Sequence, residues 1–324
     1  MKKKLPDYAF SKVEIEILRE VASGNHSLYL LRKNLSIKPN LLSYNLKKIL
    51  KKNIIAFKKK KKQFKRKRNA PRKYVYFGDS KHASLLRELL VTDSHMKWKN
   101  ILSGLGLEVL FQVLGHSEIT FESFSKATFW RYSRVFMAQG IIKLDDQGYR
   151  VNPRFSILID FLTEYQQFII NTRIRSVSET AVILWQKNFE CLIRVPRNSR
   201  LPQKGFLKTA TSVLHDFGIQ ILSDSDTYFY SKKRARIRIE DAILHTLLIE
   251  RDNIRYVLYS LLLLKKELTR IDKEYLLKEA QRLDLSLQIN AMLQFLKTRG
   301  KRRGLTLPTW AEFMTKAEEY NVVD

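Results

Sequence analysis

The strongest constraint on how this chain folds is a dense run of lysine and arginine in its first third. Positions 58–73 hold eleven basic residues in sixteen and no acidic residue. Such a run repels itself and needs an anionic partner, of which nucleic acid is the commonest for a cytosolic protein. An anionic membrane is a weaker alternative, because no lipidation signal or aromatic amphipathic helix lies beside the run. A solvated tail without a partner is the third reading.

The positive charge of the chain is concentrated around this run. The whole sequence of 324 residues has 60 Lys and Arg against 32 Asp and Glu, a net charge of +28. Residues 1–100 carry 27 basic and 7 acidic side chains, residues 101–175 carry 8 and 7, and residues 176–324 carry 25 and 18. The first third therefore holds +20 of the excess, and binding to a polyanion is expected there.

Three short helices are predicted ahead of the basic run. Ser11 can cap the first, with Glu14 three residues later as its capping-box partner. A second helix is predicted over 26–35, and Pro39 suits the first position of a third. Asn53 then follows, a residue type that tolerates the left-handed backbone needed where a helix ends.

Two β-like segments, 54–57 and 73–77, flank the basic run and predict a hairpin. The stretch NLLSYNLKKILKKNII resembles the recognition helix and first wing strand of archaeal and bacterial winged helix-turn-helix transcription regulators. The resemblance covers about residues 10–78. It implies a DNA-binding domain with an unusually long, basic wing.

The third predicted helix has an apolar stripe of Leu42, Leu46, Ile49 and Leu50, and the first three of these are expected to face the core. A helix fits the major groove of DNA, where Asn, Ser and Tyr bond base edges or phosphates and lysines bond phosphates. A merely solvated surface is the alternative for its outer face. The predicted DNA contacts of this helix are Asn40, Ser43, Tyr44, Lys47, Lys48 and Lys51. The wing would follow a backbone or enter a minor groove through Lys58, Lys59, Lys60, Lys61, Lys62, Lys65, Arg66, Lys67, Arg68, Arg72 and Lys73.

A similar order of elements returns in a nearly neutral segment. Helices are predicted over 105–114, 118–124 (capped by Ser117) and 125–139, followed by a hairpin of 141–144 and 149–151. The stretch KATFWRYSRVFMAQGIIKLDDQGYRVNP also resembles winged-helix regulators. Because its charge is near zero, packing, dimerisation or partner binding is favoured over DNA contact, for which its cations are Lys126, Arg131 and Arg134.

The rest of the chain predicts an α+β unit and then only helices. A connecting helix covers 155–170. Next come β-like segments at 181–185 and 189–195, a helix at 205–217 and β-like segments at 219–222 and 227–230. Helices follow at 239–249, 254–266, 273–283, 286–298 and 309–320.

One stretch in this part, RIRIEDAILHTLLIERD, resembles the C-terminal module of AbiEi-type antitoxin and regulator proteins over about residues 178–300. Two basic clusters offer secondary phosphate contacts or are simply solvated loops. The first is 232–238, and the second contributes Arg299, Lys301, Arg302 and Arg303.

The predicted fold class is mainly α with α+β parts. Two winged-helix domains would precede a small α+β unit and a C-terminal helical bundle. The predicted divisions are 1–98 for the basic domain, 99–176 for the second winged helix with its connecting helix, and 177–324 for the remainder.

No catalytic motif stands out, so no enzyme activity, metal or cofactor is predicted. Phosphate-loop, dinucleotide, zinc-protease and serine-hydrolase signatures are missing, and the six histidines lack ligand spacing. Cys191 lies in a β-like segment and is expected to be buried rather than nucleophilic. Asp224-Ser225-Asp226 is expected to be a turn, although a nucleotidyltransferase metal site would use the same pattern.

A cytoplasmic DNA-binding transcription regulator is the leading prediction. The single cysteine excludes an internal disulfide, no signal peptide is visible, and the longest apolar run, 256–264, is too short to cross a bilayer. Double-stranded DNA is the expected partner, with a homodimer left open. The alternatives are an antitoxin-like or scaffolding protein that binds a protein partner such as a toxin, or a structured-RNA binder.

Overall fold

The computed structural model describes residues 7–59, 73–115, 124–146, 148–197, 199, 205–231, 234–300 and 304–322. Within these residues the chain is mainly helical with small antiparallel sheets, as the sequence predicts. It divides into two compact units, Met1–Ile169 and Ile170–Asp324. The finer division into three domains at residues 98 and 176 stays a prediction.

Unit 1 is built from helices and two hairpins. Its helices are α1 (Lys12–Ala22), α2 (Leu28–Leu35), α3 (Pro39–Lys51), α4 (Lys81–Thr92), α5 (Trp98–Ile101), α6 (Leu105–Leu114), α7 (Lys126–Ala138) and α8 (Ser156–Arg175), which runs past residue 169. A 3₁₀ turn, Pro153–Phe155, precedes α8. Strand β1 (Ile55–Lys59) pairs antiparallel with β2 (Lys73–Phe77), and β3 (Ile142–Asp145) with β4 (Gly148–Val151).

The predicted capping box of α1, the proline that starts α3 and the asparagine that follows α3 are confirmed, whereas α2 begins two residues later than the predicted 26–35. The Glu14 N–H donates to Ser11 Oγ at 3.1 Å, and the Ser11 N–H donates to Glu14 Oε2 at 2.6 Å, which completes the capping box. Pro39 is the first residue of α3, and Asn53 has a left-handed φ of 54°. Local side-chain chemistry therefore fixes both ends of the segment that carries α3.

The second set of predicted elements lies within α6 to β4. Helix α6 has the predicted bounds, and Ser125 caps α7 by accepting from the Thr128 N–H at 3.2 Å. Gly140 ends α7 with a φ of 69°. The helix predicted over 118–124 lies almost wholly outside the described residues.

Unit 2 contains a four-stranded antiparallel sheet covered by helices. The strands β5 (Val182–Lys187), β6 (Glu190–Pro196), β7 (Phe206–Lys208) and β8 (Ser225–Tyr230) lie in the order β5-β6-β8-β7. A 3₁₀ helix, Ala210–Phe217, follows β7. The helices are α9 (Ile239–Ile249), α10 (Ile254–Lys266), α11 (Lys273–Arg282), α12 (Ser286–Thr298) and α13 (Trp310–Glu319).

Three predictions for this sheet are wrong. The helix expected over 205–217 begins as strand β7, because Phe206–Lys208 pairs with the free edge of β8. Residues 219–222 form no strand, since buried Ile219 packs into the helical core instead. The turn expected at Asp224-Ser225-Asp226 is partly strand, because Ser225 and Asp226 pair with β6 and the Asp226 carboxylate bonds Lys208 Nζ at 3.1 Å.

Cys191 is buried in β6, as predicted, and burial raises the pKa of its thiol to about 12. The thiolate is the reactive form of cysteine, so this side chain is inert at neutral pH. Among the described residues, no helix is long and apolar enough to cross a membrane.

A buried histidine makes the stability of unit 2 depend on pH. His245 in α9 stacks on the Phe229 ring at 4.2 Å and lies 2.8 Å from Thr209 Oγ1 through Nδ1. Burial lowers the pKa of His245 to about 3, whereas an unfolded histidine has a pKa of about 6.5. The unfolded chain therefore takes up a proton first, and stability present above about pH 6.5 is lost as the pH falls towards 3.

We expect this loss to approach about 1.4 kcal/mol for each pH unit below roughly pH 6. Urea unfolding of the full chain at pH 7.5, 6 and 5 measures it. His245→Asn should flatten the difference, while His215→Asn, at an exposed position, should retain it. Equal pH slopes in the wild type and His245→Asn would show that His245 does not cause the loss.

Candidate nucleic-acid interface

The outer face of α3 is open to solvent. All six side chains predicted to contact DNA from this helix are exposed, and Tyr44 retains 56% of its surface. The opposite face is buried through Leu42, Leu46 and Ile49, as predicted. Leu50, the fourth residue of the predicted apolar stripe, is 43% exposed. It lies one position beyond the Leu42-Leu46-Ile49 stripe, at the edge of the packed surface.

Asn45 anchors α3 from its inner side. It is buried, its Nδ2 donates to the Leu41 carbonyl at 2.7 Å, and its Oδ1 accepts from Ser11 Oγ at 3.3 Å. Sequence reasoning assigned it no role, because an asparagine within a helix gives no sign of a partner 34 residues away. Through this amide the N-cap of α1 is tied to the middle of α3.

A buried ion pair holds the end of α3. Lys52 Nζ lies 2.9 Å from Glu14 Oε1, and the two side chains are 6% and 1% exposed. Burial lowers the pKa of Lys52, and the Glu14 carboxylate opposes that effect. The ammonium also lies 4.8 Å from the centre of the Phe10 ring, and His82 Nε2 is 3.0 Å from the Lys52 carbonyl. The last turn of α3 is therefore fixed to α1 and α4.

Two exposed side chains on the outer face contact each other. Lys48 Nζ lies 4.7 Å from the centre of the Tyr44 ring, one helical turn away. The hydrogen bond that the Lys48 ammonium donates to the Tyr44 hydroxyl raises the pKa of Lys48. Lys48 therefore presents a fixed positive charge beside a hydroxyl, a combination that suits a phosphate oxygen.

A cleft of about 490 Å³ runs between α2, α3 and the start of the hairpin. Its apolar floor includes Leu42 and Leu46, and its rim carries Tyr29 and Arg32 of α2. Tyr29 is 63% exposed, and Arg32 is exposed as well. These two side chains were not predicted to contact a ligand. Their spacing of three residues along a helix, which places them on one face, was the available signal.

The hairpin carries the start of the basic run. Lys58 is exposed, and its ammonium lies 5.5 Å from the centre of the Tyr76 ring, which stacks on His26 at 4.4 Å. The backbones of Lys59 and Lys73 form the last pair of the β1–β2 ladder. The other predicted wing contacts, Lys60, Lys61, Lys62, Lys65, Arg66, Lys67, Arg68 and Arg72, lie outside the described residues.

The secondary cations occupy other elements. Lys126, Arg131 and Arg134 are exposed on α7, and Arg131 lies 5.4 Å from the centre of the Tyr132 ring. In unit 2, the Arg299 guanidinium lies 5.5 Å from the Trp310 ring centre. Lys301, Arg302 and Arg303 fall outside the described residues.

The described residues contain no group of three or more His, Cys, Asp or Glu side chains that could hold a metal ion. Asp224 is exposed ahead of β8, whereas Asp226 is buried and paired with Lys208. The Asp224-Ser225-Asp226 segment therefore offers one exposed carboxylate, that of Asp224, as a ligand.

Comparison with known proteins gives one partial likeness. A model of the family HVO_2833_C, C-terminal, matches residues 203–322, so this part of the chain is similar to that family. No curated protein matches the chain. No solved structure matches it either.

Proposed function

We propose that about residues 10–78 form a winged-helix module that binds duplex DNA, and that the chain is a transcription regulator. The observation that carries this proposal is the two-sided character of α3. One side is packed against the rest of unit 1, and the other side exposes Asn40, Ser43 and Tyr44 together with three lysines. The order α1-α2-α3-β1-β2 is the one expected of a winged helix-turn-helix.

The chemistry of the exposed face supports a division of work. Asn40, Ser43 and Tyr44 lie in the first half of α3, where residues of a recognition helix reach base edges. Lys47, Lys48 and Lys51 follow in the second half and suit phosphates, which hold the protein on DNA without reading its sequence. No acidic residue interrupts α3.

The position of the wing also supports DNA binding by this part of the chain. Strand β1 begins four residues after α3 ends, and Lys58 is exposed in that strand. The sequence places the remaining basic residues of the run between Lys59 and Lys73, which pair in the hairpin. A wing entering a minor groove or following a backbone would add phosphate contacts to those of α3.

Selection of bound duplexes from a randomised library at physiological salt tests the proposal. The wild type should enrich a defined motif, and a palindromic motif would indicate a two-fold dimer. Loss of base contacts costs about 1–3 kcal/mol for each bidentate pair, so Asn40→Ala, Ser43→Ala, Tyr44→Ala combined should blunt the motif. Structured RNA competing as well as duplex DNA at matched salt would favour RNA binding instead.

Matched charge variants provide the control. Changing Lys47, Lys48 and Lys51 to Gln should weaken all duplexes alike and leave the enriched motif unchanged. Changing Lys273, Lys278 and Lys297, exposed in unit 2, to Gln alters the net charge by the same amount and should have little effect. If the alanine and glutamine variants of α3 behave identically, the proposed division of work is wrong.

A further inference from the structure

Unit 2 contains a polar cleft that the proposed function does not use. Its volume is about 550 Å³. It lies where the end of β6, the segment leading into β8 and the first turns of α10 meet. Its positive charge comes from Arg194, Arg197 and Arg255, and its lining also includes Ser223, Tyr256 and Tyr259.

The three arginines have no carboxylate partner within the described residues. Elsewhere in unit 2, Arg234 pairs with Asp241 and Glu279, and Arg282 pairs with Glu190 and Glu279. Asp224 also lines the cleft but forms no ion pair with the three arginines. The cleft therefore has an excess of positive charge that a bound anion would neutralise.

Hydrogen bonds orient the guanidinium groups of Arg197 and Arg255, and the third arginine is placed by its strand. Arg194 lies in β6 opposite Thr227 of β8 and is half-buried. Arg197 donates through Nη1 to the Ser223 carbonyl at 3.4 Å, and its backbone N–H donates to the Asp224 carbonyl at 3.0 Å. Arg255 Nε donates to Tyr259 Oη at 3.0 Å. Because a guanidinium has five N–H groups, donors remain for a ligand at each arginine.

The start of α10 adds to the attraction for an anion. Asn253 caps this helix of 13 residues by accepting from the Arg255 N–H at 3.0 Å. The positive end of the helix dipole therefore lies on the same side as Arg255. The planar fork of arginine matches a phosphate in a bidentate manner, which favours phosphate over a simple halide. Tyr256 and Tyr259 line the same cleft, and bases commonly stack on aromatic side chains.

We propose that this cleft binds the phosphate of a nucleotide. A free nucleotide and a nucleic-acid strand would supply the same chemistry. The proposal is independent of DNA binding by unit 1, because every residue that carries it lies in unit 2.

Calorimetric titration of the full chain with ATP, adenosine and a single-stranded dodecanucleotide distinguishes the sources. To weaken phosphate binding by unit 1, all titrations use the Lys47→Gln, Lys48→Gln, Lys51→Gln background, and binding that persists in the cleft variant described below is assigned to the rest of the chain. Saturable binding of ATP alone would identify a free nucleotide, and binding of the oligonucleotide alone would identify a strand. Adenosine should bind at least tenfold more weakly than the phosphorylated ligand. Equal affinity for adenosine and ATP, or no binding of either phosphorylated probe, would overturn the proposal.

Variants of the cleft provide the second test. Hydrogen bonds to charged groups are strong, so Arg197→Gln with Arg255→Gln should weaken binding by about ten- to a hundredfold or more. Arg175→Gln with Arg236→Gln changes the same charge at exposed positions of unit 2 and should change affinity less than twofold. Both arginine pairs are largely exposed, so folding is expected to survive and is checked by circular dichroism. Unchanged affinity in the cleft variant would show that the ligand binds elsewhere.

Discussion

Raising the salt concentration from 50 to 200 mM is expected to weaken duplex binding by about 10³–10⁵-fold. This estimate assumes contact with about six to ten phosphates, which the exposed lysines of α3 and the basic run can supply. Cations bound to the phosphates are released when the protein binds, so added salt opposes binding. Fluorescence anisotropy with one duplex across a salt series measures the slope of log affinity against log salt.

The slope also counts the contacts made by α3. Each phosphate contact removed lowers it by about 0.9. Gln at Lys47, Lys48 and Lys51 should therefore reduce the slope by almost three, whereas Ala at Asn40, Ser43 and Tyr44 should leave most of it in place. A flat response of the wild type would contradict phosphate binding. An unchanged slope in the glutamine variant would place the contacts away from α3.

Removing the carboxylate of Glu14 is expected to destabilise unit 1 by about 3–5 kcal/mol. Glu14→Ala leaves the Lys52 ammonium buried without its partner, and it also removes the acceptor for the Ser11 N–H at the start of α1. Chemical denaturation of the full chain measures the loss. Because the pair fixes the end of α3, DNA affinity should fall in the same variant.

A second ion pair, which also has its glutamate on α1, supplies the control. Glu16 and Lys99 also lie 2.9 Å apart, but their side chains are 36% and 45% exposed. Glu16→Ala should cost no more than about 1 kcal/mol, because solvent screens such a pair. The double variant Glu14→Leu, Lys52→Met should recover much of the stability, since apolar side chains of similar volume often replace a buried pair at little cost. Equal losses of unfolding free energy in Glu14→Ala and Glu16→Ala would show that burial does not increase the contribution of an ion pair to stability.

The sequence predicts elements whose signals are local. The capping box of α1, the proline that starts α3 and the asparagine that follows it each act within a few residues, and all three are confirmed. The bounds of α6, α9, α10 and α12 also agree with the apolar spacing. In these segments one buried face is enough to define the helix.

Predictions failed where distant partners decide the structure. Phe206–Lys208 becomes a strand because β8 offers an open edge. Aspartate favours turns, but Asp226 belongs to strand β8 because it forms an ion pair with Lys208 on the neighbouring strand. Neither partner can be read from the few residues around each position.

In the candidate site, too, the features with local signals were predicted and those that depend on distant partners were missed. Its exposed face follows from the spacing of Leu42, Leu46 and Ile49, and the outward side chains are where that spacing predicts them. Its supports were missed, because Lys52 lies 38 residues from Glu14 and looks like one more surface lysine in a basic stretch. Only the packed structure shows that this lysine is buried.

The burial of Cys191 makes the chain convenient for spectroscopy. The sequence has one cysteine, and its thiol is shielded and protonated at neutral pH. A thiol introduced at an exposed position of α3 outside the proposed contacts, such as Leu41→Cys, would therefore react first with a maleimide dye or a nitroxide. Such a label would report on the environment of the helix as DNA is added, without removal of the native cysteine.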